Sequence, residues 1–289
     1  MKLCSSCHKP FDHWNWQCPY CSYEPEMIEG HLAFAPELAR ESEGFEADYF
    51  ARLAEMEAGN FWFRSRNQLL IWTLQRYFPK AENFLEIGCG TGFVLSGIRE
   101  AFPQLALSGS EIFSEGLNFA AARLPGVELL QMDARRIPFR KEFDVIGAFD
   151  VLEHVNEDEE VLAQMHQATR GRGGILLTVP QHSSLWSQVD EYSRHVRRYS
   201  AGDLKAKVER AGFETVRTTS FVSLLLPLMF ISRLKQRSSN QGFDASAEIR
   251  ISGPINSLLE EILDVERAMI RLGVSFPIGG SLLLIARRI

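Results

Sequence analysis

The chain has few of the features that would place it outside ordinary globular proteins. It opens Met1-Lys2-Leu3-Cys4-Ser5-Ser6-Cys7, without the apolar stretch of a secretory signal, and is read as having none. No run reaches the ~18 to 20 apolar residues needed to span a bilayer. Basic charge is not in excess: 31 Lys and Arg stand against 37 Asp and Glu, for a net charge of −6 and a pI near 5.7. That balance argues against a general polyanion-binding surface, though it leaves room for a local basic patch. Internal repeats are missing beyond an alternation of strand-like and helix-like segments, and so are long low-complexity tracts. Past residue 21 only one cysteine remains, Cys89, which reads as a small buried residue without chemistry. What is there is a soluble composition, 45% apolar and 24% charged over 289 residues. It can bury a sizeable core as one large α/β domain with additions, or as two domains. The expected location is the cytoplasm.

The other four cysteines fall in the first 21 residues, as Cys4-x-x-Cys7 and Cys18-Pro19-Tyr20-Cys21. Each such turn can set two thiolates on one ion, and two turns complete a tetrahedron. Disulfides are the weaker reading without a secretion signal. Neither pair has the strand-to-helix setting of a thioredoxin-like redox site. The pattern resembles a zinc ribbon with a short but workable gap of ten residues. Four thiolates close the shell, so Zn2+ would be structural and would help fold a segment too small to fold alone. His8 and His13 are substitute ligands in principle. Trp14 and Trp16 either present a contact surface or pack the ribbon's small core. The ribbon-like module is taken as residues 1–23, an acidic, irregular linker as 24–44, and the main domain as 45–289. Deleting 1–23 is therefore expected to leave ligand binding in the main domain intact.

The densest signal is Phe84-Leu85-Glu86-Ile87-Gly88-Cys89-Gly90-Thr91-Gly92. An apolar run feeds three alternate glycines and then a helix-like segment, as where backbone must approach a ligand closely. Several nucleotide-binding βαβ units carry such glycines. Glu86 narrows the choice, because a carboxylate there is awkward beside a pyrophosphate and well placed for an ammonium group. A second strand, Leu105 to Glu111, ends in an acid 25 positions after Glu86, the usual partner of ribose hydroxyls. A third, Val127 to Asp133, is followed by Ala134. A fourth, Phe143 to Asp150, runs into Val151-Leu152-Glu153-His154-Val155. Any one strand-terminal acid is as often a helix cap or a solvated loop residue; three in the same topological position point to a ligand.

Together, from roughly Phe61 to Phe213, these residues resemble class I S-adenosylmethionine-dependent methyltransferases, close to the ubiquinone-biosynthesis type. The resemblance implies a Rossmann-like α/β fold with a seven-stranded sheet and an antiparallel last strand. It sets Gly88, Gly90 and Gly92 against the methionine part of S-adenosyl-L-methionine, with Glu86 beside them. Glu111 would hold the ribose and Asp133 with Ala134 the adenine edge, and Asp150 joins the cofactor-binding set. Two cap helices, Phe45 to Ala58 and Phe61 to Phe78, precede the first core strand. In methyltransferases of this type such a helix covers the cofactor, and an Arg on it can pair with the methionine carboxylate. Arg66 is favoured over Arg64; otherwise both are surface arginines on a packing helix.

Downstream, the acids Glu157 to Glu160 open a helix and complement its dipole without a metal. Gly173 to Pro180 is a fifth strand. The long loop Gln181 to Tyr199 follows, beyond the strands' carboxyl ends, where ligands bind in open α/β sheets. It is expected to select the acceptor, with His195, Arg197 and Arg198 suited to an anionic or hydroxyl-rich molecule. Ser200 and Asp203 read as a helix cap. Glu214 to Val222 and Ser281 to Arg288 are the closing strands, with an insertion over 223–280 between them. It holds the apolar Leu224 to Ile231, the basic Arg233, Lys235 and Arg237, a polar linker, and a helix near Ile255–Leu272. A lid or core packing is the commoner fate of such a segment. Peripheral membrane contact through 223–237 and a homodimer interface are the alternatives.

The function expected from this reading is S-adenosylmethionine-dependent methyl transfer, to an oxygen of a small-molecule or lipid-linked acceptor. His154 is the first candidate base and His195 the second; otherwise His154 only fixes its loop. An RNA methyltransferase using the ribbon for RNA contact is the second hypothesis, disfavoured by the acidic charge and by Phe149-Asp150-Val151-Leu152 where an amine-methylating motif would stand. A non-catalytic cofactor-binding scaffold is the third. A nicotinamide dehydrogenase would leave Glu86 and Asp133 without a role.

Overall fold

The computed structural model describes residues 1–40, 48–238 and 251–289, with the side chains of 48 and 233–238 outside the description. Two short strands, β1 (Lys2–Leu3) and β2 (Pro10–Phe11), pair antiparallel. A hairpin follows, β3 (Glu26–Ile28) and β4 (His31–Ala33). Helices α1 (Asp48–Met56) and α2 (Phe61–Tyr77) lead into β5 (Asn83–Ile87), α3 (Phe93–Ala101), β6 (Ala106–Glu111), α4 (Ser114–Arg123) and β7 (Glu128–Gln131). Then come β8 (Phe143–Phe149), α5 (Asp158–Ala168), β9 (Thr169–Pro180), α6 (Gln188–Tyr192), α7 (Ala201–Arg210) and β10 (Phe213–Phe221). Helices α8 (Leu226–Ser238) and α9 (Gly253–Arg271) precede the last strand, β11 (Ser281–Arg288).

One sheet runs in the order β10-β11-β9-β8-β5-β6-β7-β4-β3. Strands β5 to β9 pair parallel, and β11 lies antiparallel between β9 and β10. The expected seven-stranded unit with its antiparallel closing strand is therefore present. The alternation of each strand divides the core in two. Leu85, Ile146 and Leu177 face α5 and α7 residues such as Leu162 and Leu204, while Phe84, Val145 and Leu176 face Leu70 and Leu74 of α2 and Leu95 of α3. The helix expected from Phe45 is described from Asp48, since 41–47 lie outside the described residues. The polar linker of the insertion lies outside them too, as do the side chains of Arg233, Lys235 and Arg237.

The segment expected to be an irregular linker differs. Within 24–44, β3 and β4 extend the sheet to nine strands, because β4 pairs parallel with the edge strand β7 through Leu32 and Ala33. The buried Gln131 side chain fixes that join, donating to the carbonyls of Ala35 and Ile112 at 2.8 Å and accepting from the Ala35 N–H at 3.1 Å. Nor do residues 1–23 stand apart. Cys4, Phe11, Trp16 and Cys18 belong to the same core cluster as Leu130, Met132 and Phe139. The Trp16 ring lies 4.6 Å from Phe34 and 5.3 Å from Phe139, and the Leu3 N–H donates to the Pro138 carbonyl at 2.9 Å.

Strand β5 sits between β6 and β8, so the chain departs from it in both directions. Such a reversal opens a crevice at the strands' carboxyl ends, beyond Ile87 and Phe149.

Candidate active site

A cavity of about 1300 Å3 fills that crevice. At its floor the chain turns through Gly88, Gly90 and Gly92, with φ of 66°, 51° and 75°. A Cβ on Gly88 would stand 2.5 Å from Cγ2 of Val151, so only glycine fits there. Gly90 is different: the nearest atom to a Cβ would be Phe50 Cε1 at 3.9 Å, and the open backbone lines the cavity.

Acids surround the turn. Glu86 is buried, one of its carboxylate oxygens has no partner, and burial pushes its pKa well up. Glu111 accepts from the N–H groups of Gly90 (3.0 Å), Ile112 (2.8 Å) and Phe113 (3.4 Å); burial still raises its pKa against those bonds. Asp133 accepts from the N–H of Arg135 at 2.9 Å and from its guanidinium at 2.9–3.1 Å, with Ala134 beside it in the cavity wall. Arg66 pairs with Asp150, and its guanidinium lies over the Trp62 ring at 4.4 Å. The Arg66 Nε has no partner, and Asp150 holds a left-handed φ of 58°, a conformation costly for a non-glycine residue. Arg64 instead pairs with Glu260 of α9.

Beneath the turn sits a group not singled out in the sequence. Buried Glu57, from the end of α1, accepts from the Thr91 hydroxyl at 2.5 Å and from Arg123 at 2.7 Å. The three residues are far apart in the chain, and no local spacing marks them.

Histidines gather at the other end. The Asp190 carboxylate, on α6, is wholly buried; it takes Nδ1 of His195 at 2.9 Å and both Nε and Nη2 of Arg198, at 2.7 and 3.0 Å. Burial alone would raise its pKa, but the bonds from His195 and Arg198 hold it below the usual range. His195 Nε2 lies 4.0 Å from Glu153, whose carboxylate is buried without a described partner and shifted well up by desolvation. The His154 and His195 rings meet edge-on at 4.7 Å. Enclosure by protein, with His195 adjoining, lowers the His154 pKa to about 4. The residue is exposed in the cavity lining, so solvent screening limits that lowering.

The loop arginines depart from expectation. Arg197 is committed to Asp158 at 2.7 Å and the Asn156 carbonyl at 2.9 Å, and Arg198 to Asp190 and the Gln181 carbonyl, so neither is free for an anion. Arg194 lines the cavity with no described partner. Val222 just after β10, Leu225, Leu228 and Met229 from the start of the insertion, and Leu259 from α9 form an apolar stretch of the wall.

At the N-terminus, Cys4 and Cys21 sulfurs stand 3.5 Å apart and those of Cys7 and Cys18 3.7 Å, with all four within 4.8 Å of one another. Four sulfurs ~2.3 Å from a tetrahedral Zn2+ stand roughly 3.8 Å apart, so the donors fit that ion.

Residues 56–218, more than half the chain, match the Methyltransf_23 family model, a methyltransferase domain. The chain belongs to this family. A curated relative of the methyltransferase is a probable S-adenosylmethionine-dependent methyltransferase of Mycobacterium tuberculosis, 26% identical over 57% of this chain and 60% of its own. Another is malonyl-[acyl-carrier protein] O-methyltransferase of Halalkalibacterium halodurans, 24% identical over 50% of this chain and 53% of its own. The chain thus spans between half and three fifths of the length of these two curated relatives. A solved complex of the Haloferax volcanii Trm112 methyltransferase activator with a methyltransferase superposes with a TM-score of 0.54, at 16% identity over 83% of this chain and 96% of the other. At that identity the likeness is one of fold.

Proposed function

We propose that this methyltransferase transfers the methyl of S-adenosylmethionine to an oxygen of an acceptor that joins an apolar tail to a polar or anionic head. The observation that carries the reading is a single cavity with two differently equipped ends. One end fits the cofactor: the unpartnered Glu86 oxygen suits its ammonium, the Arg66 guanidinium its carboxylate, and the bare Gly90 backbone the chain between them. Glu111 would hold the ribose hydroxyls, and Asp133 and Ala134 the adenine edge. Asp150, now on Arg66, would share the ammonium once the cofactor's carboxylate draws that arginine. The cofactor supplies a methyl group already activated on a sulfonium, so the protein's task is to align the acceptor, exclude water and take a proton.

His195 is better equipped than His154 for that proton. Asp190 holds Nδ1, which leaves Nε2 as the basic nitrogen and stabilises the imidazolium once it forms. His154, held neutral, closes the other side of the ring. Arg194 supplies a cation for the head, and Leu225, Leu228, Met229 and Leu259 give the tail a wall. Four thiolates, Cys4, Cys7, Cys18 and Cys21, would hold one structural Zn2+, which elemental analysis checks. Nucleic acid is not favoured, because the loop's other arginines are tied to buried acids and the net charge is −6.

Incubation with labelled S-adenosylmethionine and fractionated cell extract should place label in an organic-soluble, acidic fraction. His195→Ala should cut transfer strongly while keeping S-adenosylhomocysteine affinity within about twofold, as for a group acting only when the acceptor is bound. Label in RNA would overturn the acceptor class. Cofactor binding without transfer to any fraction would point to a scaffold, and loss of cofactor binding in a folded His195→Ala would move the loop into the cofactor site.

A further inference from the structure

The N-terminal module grips the main domain at two places, and both are loops that wall the cofactor end of the cavity. The first follows β7. Strand β1 runs antiparallel beside residues 138–140: the Leu3 N–H donates to the Pro138 carbonyl and the Arg140 N–H to the Met1 carbonyl, both at 2.9 Å, and Lys2 pairs with Phe139. This stretch continues from Met132, Asp133 and Ala134, which line the cavity. The second grip is on the loop after β6. Residues beyond β4 reach it through the buried Gln131, which donates to the Ala35 and Ile112 carbonyls, and through the Ser114 N–H, which donates to the Ala39 carbonyl at 3.2 Å. Ile112 and Phe113 of that loop also line the cavity. Trp16 ties the two grips together, because its ring packs on Phe34 after β4 and on Phe139 after β7. Its place depends on the cysteine turns: it lies just before Cys18, and Lys2 of β1 donates to the carbonyls of His13, Trp14 and Asn15. Strands of two residues, in a segment well under about 40 residues, hold no fold of their own, and the cysteines form no disulfide. A metal is what is left to fix the module.

We propose that the ion held by Cys4, Cys7, Cys18 and Cys21 and the nucleoside half of the cofactor bind cooperatively, through this clamp on the loops after β6 and β7. The inference rests on the cofactor and zinc readings proposed above and adds a coupling between them. With the ion in place, the cysteine turns hold Trp16 and β1, and the two loops stand in the form that faces the ligand. Without it, the four thiols lose their shared centre and Trp16 is released from Phe34 and Phe139. The loops carrying Ile112, Phe113, Asp133 and Ala134 then lose their outer support. The ligand must order those loops itself, which lowers its affinity. Linkage makes the effect reciprocal: whatever factor the ion adds to cofactor affinity, the cofactor adds to ion affinity. Both grips sit on the ribose and adenine side, so the nucleoside carries the coupling.

The test uses the full chain, first assayed for zinc by elemental analysis and then stripped with a chelator. Calorimetry should give S-adenosylhomocysteine a Kd about 5- to 150-fold higher in the stripped protein, the usual span of a coupling between two sites. Adenosine should weaken by a similar factor, and returning Zn2+ should restore both. In the reverse direction, saturating S-adenosylhomocysteine should slow the transfer of Zn2+ to a chromophoric chelator. Cys21→Ser, at the exposed ligand, should lower cofactor affinity in the same sense while keeping the circular dichroism of the main sheet. A chain that carries no zinc, or that binds no S-adenosylhomocysteine when loaded, overturns the underlying readings and the coupling with them. Equal affinity in loaded and stripped protein, both binding, overturns the coupling alone. Weakened S-adenosylhomocysteine with adenosine unaffected takes the effect off the nucleoside loops and overturns the clamp. Loss of the sheet's circular dichroism on stripping makes the ion a support of the whole fold and overturns the clamp as well.

Discussion

Glu111 sits where three backbone N–H groups converge, those of Gly90, Ile112 and Phe113, and its carboxylate still reaches the cavity wall. Its substitution therefore tests two things at once, a ligand contact and the shape of the glycine turn. Glu111→Ala should weaken S-adenosylhomocysteine binding by about 1–3 kcal/mol, the cost of leaving buried polar partners unmet. Glu111→Gln, which keeps one acceptor oxygen, should lose less. Calorimetry giving wild-type affinity for Glu111→Ala would remove the residue from the site. Glu86, Glu111 and the glycines were legible in the sequence because strand, turn and acid are adjacent there, so spacing alone sets the geometry. Glu57 with Thr91 and Arg123 was not legible, because that group exists only once α1 folds over the turn. Asp190 and Glu153 stood in segments already marked in the sequence, yet nothing local shows that one grips His195 and the other is buried without a described partner. The expectation for Arg197 failed for the same reason: whether a loop cation is free depends on Asp158, about forty positions away.

At the scale of elements, the N-terminal module shows what spacing leaves out. Its cysteine pairs were readable from ligand chemistry, but β3 and β4 were not, being three-residue strands whose pairing is dictated by the edge of β7 rather than by any pattern of their own. Docking changes what the module does. Trp16 packs on Phe139, and Leu3 bonds to Pro138, in the segment that begins with Asp133 and Ala134. Trp16→Ala should cost about 3–5 kcal/mol in denaturant unfolding, the range for deleting a buried aromatic. Deleting 1–23 should strip the cover from Phe34 and Phe139 and weaken cofactor binding, against the expectation drawn from the sequence alone. Unaltered affinity in a stable truncated protein would restore the view of the module as an independent appendage. No helix among the described residues is long and apolar enough to cross a membrane.

Across the whole molecule, the cavity concentrates carboxyl groups whose neutral form burial favours. Glu86, Glu111 and Glu153 all have raised pKa values, with desolvation the largest cause in each. For a carboxyl raised on folding, the native state binds more protons than the unfolded chain between the two pKa values. The stability tied to that difference is fully present below the unfolded value, near 4.5, and is lost as pH rises through the folded value. His154, lowered from 6.5 to about 4, acts in the opposite sense, adding stability as pH rises across that span. Above about pH 6.5 the His154 contribution is complete, while each raised carboxyl goes on opposing stability until it has ionised in the folded chain. A bound cofactor brings an ammonium to Glu86 and favours its ionised form, so binding should expel a proton and tighten over the same range. At a fixed ligand excess of 100 Kd, measured at the lower pH, stabilisation is about 2.7 kcal/mol. The gap in melting temperature between S-adenosylhomocysteine-bound and free protein should therefore widen from pH 6.5 to 8.5, and Glu86→Gln should abolish the widening. A gap that stays constant with pH in the wild type would mean that Glu86 is already ionised in the free protein, with Arg66 rather than the cofactor as its counter-charge.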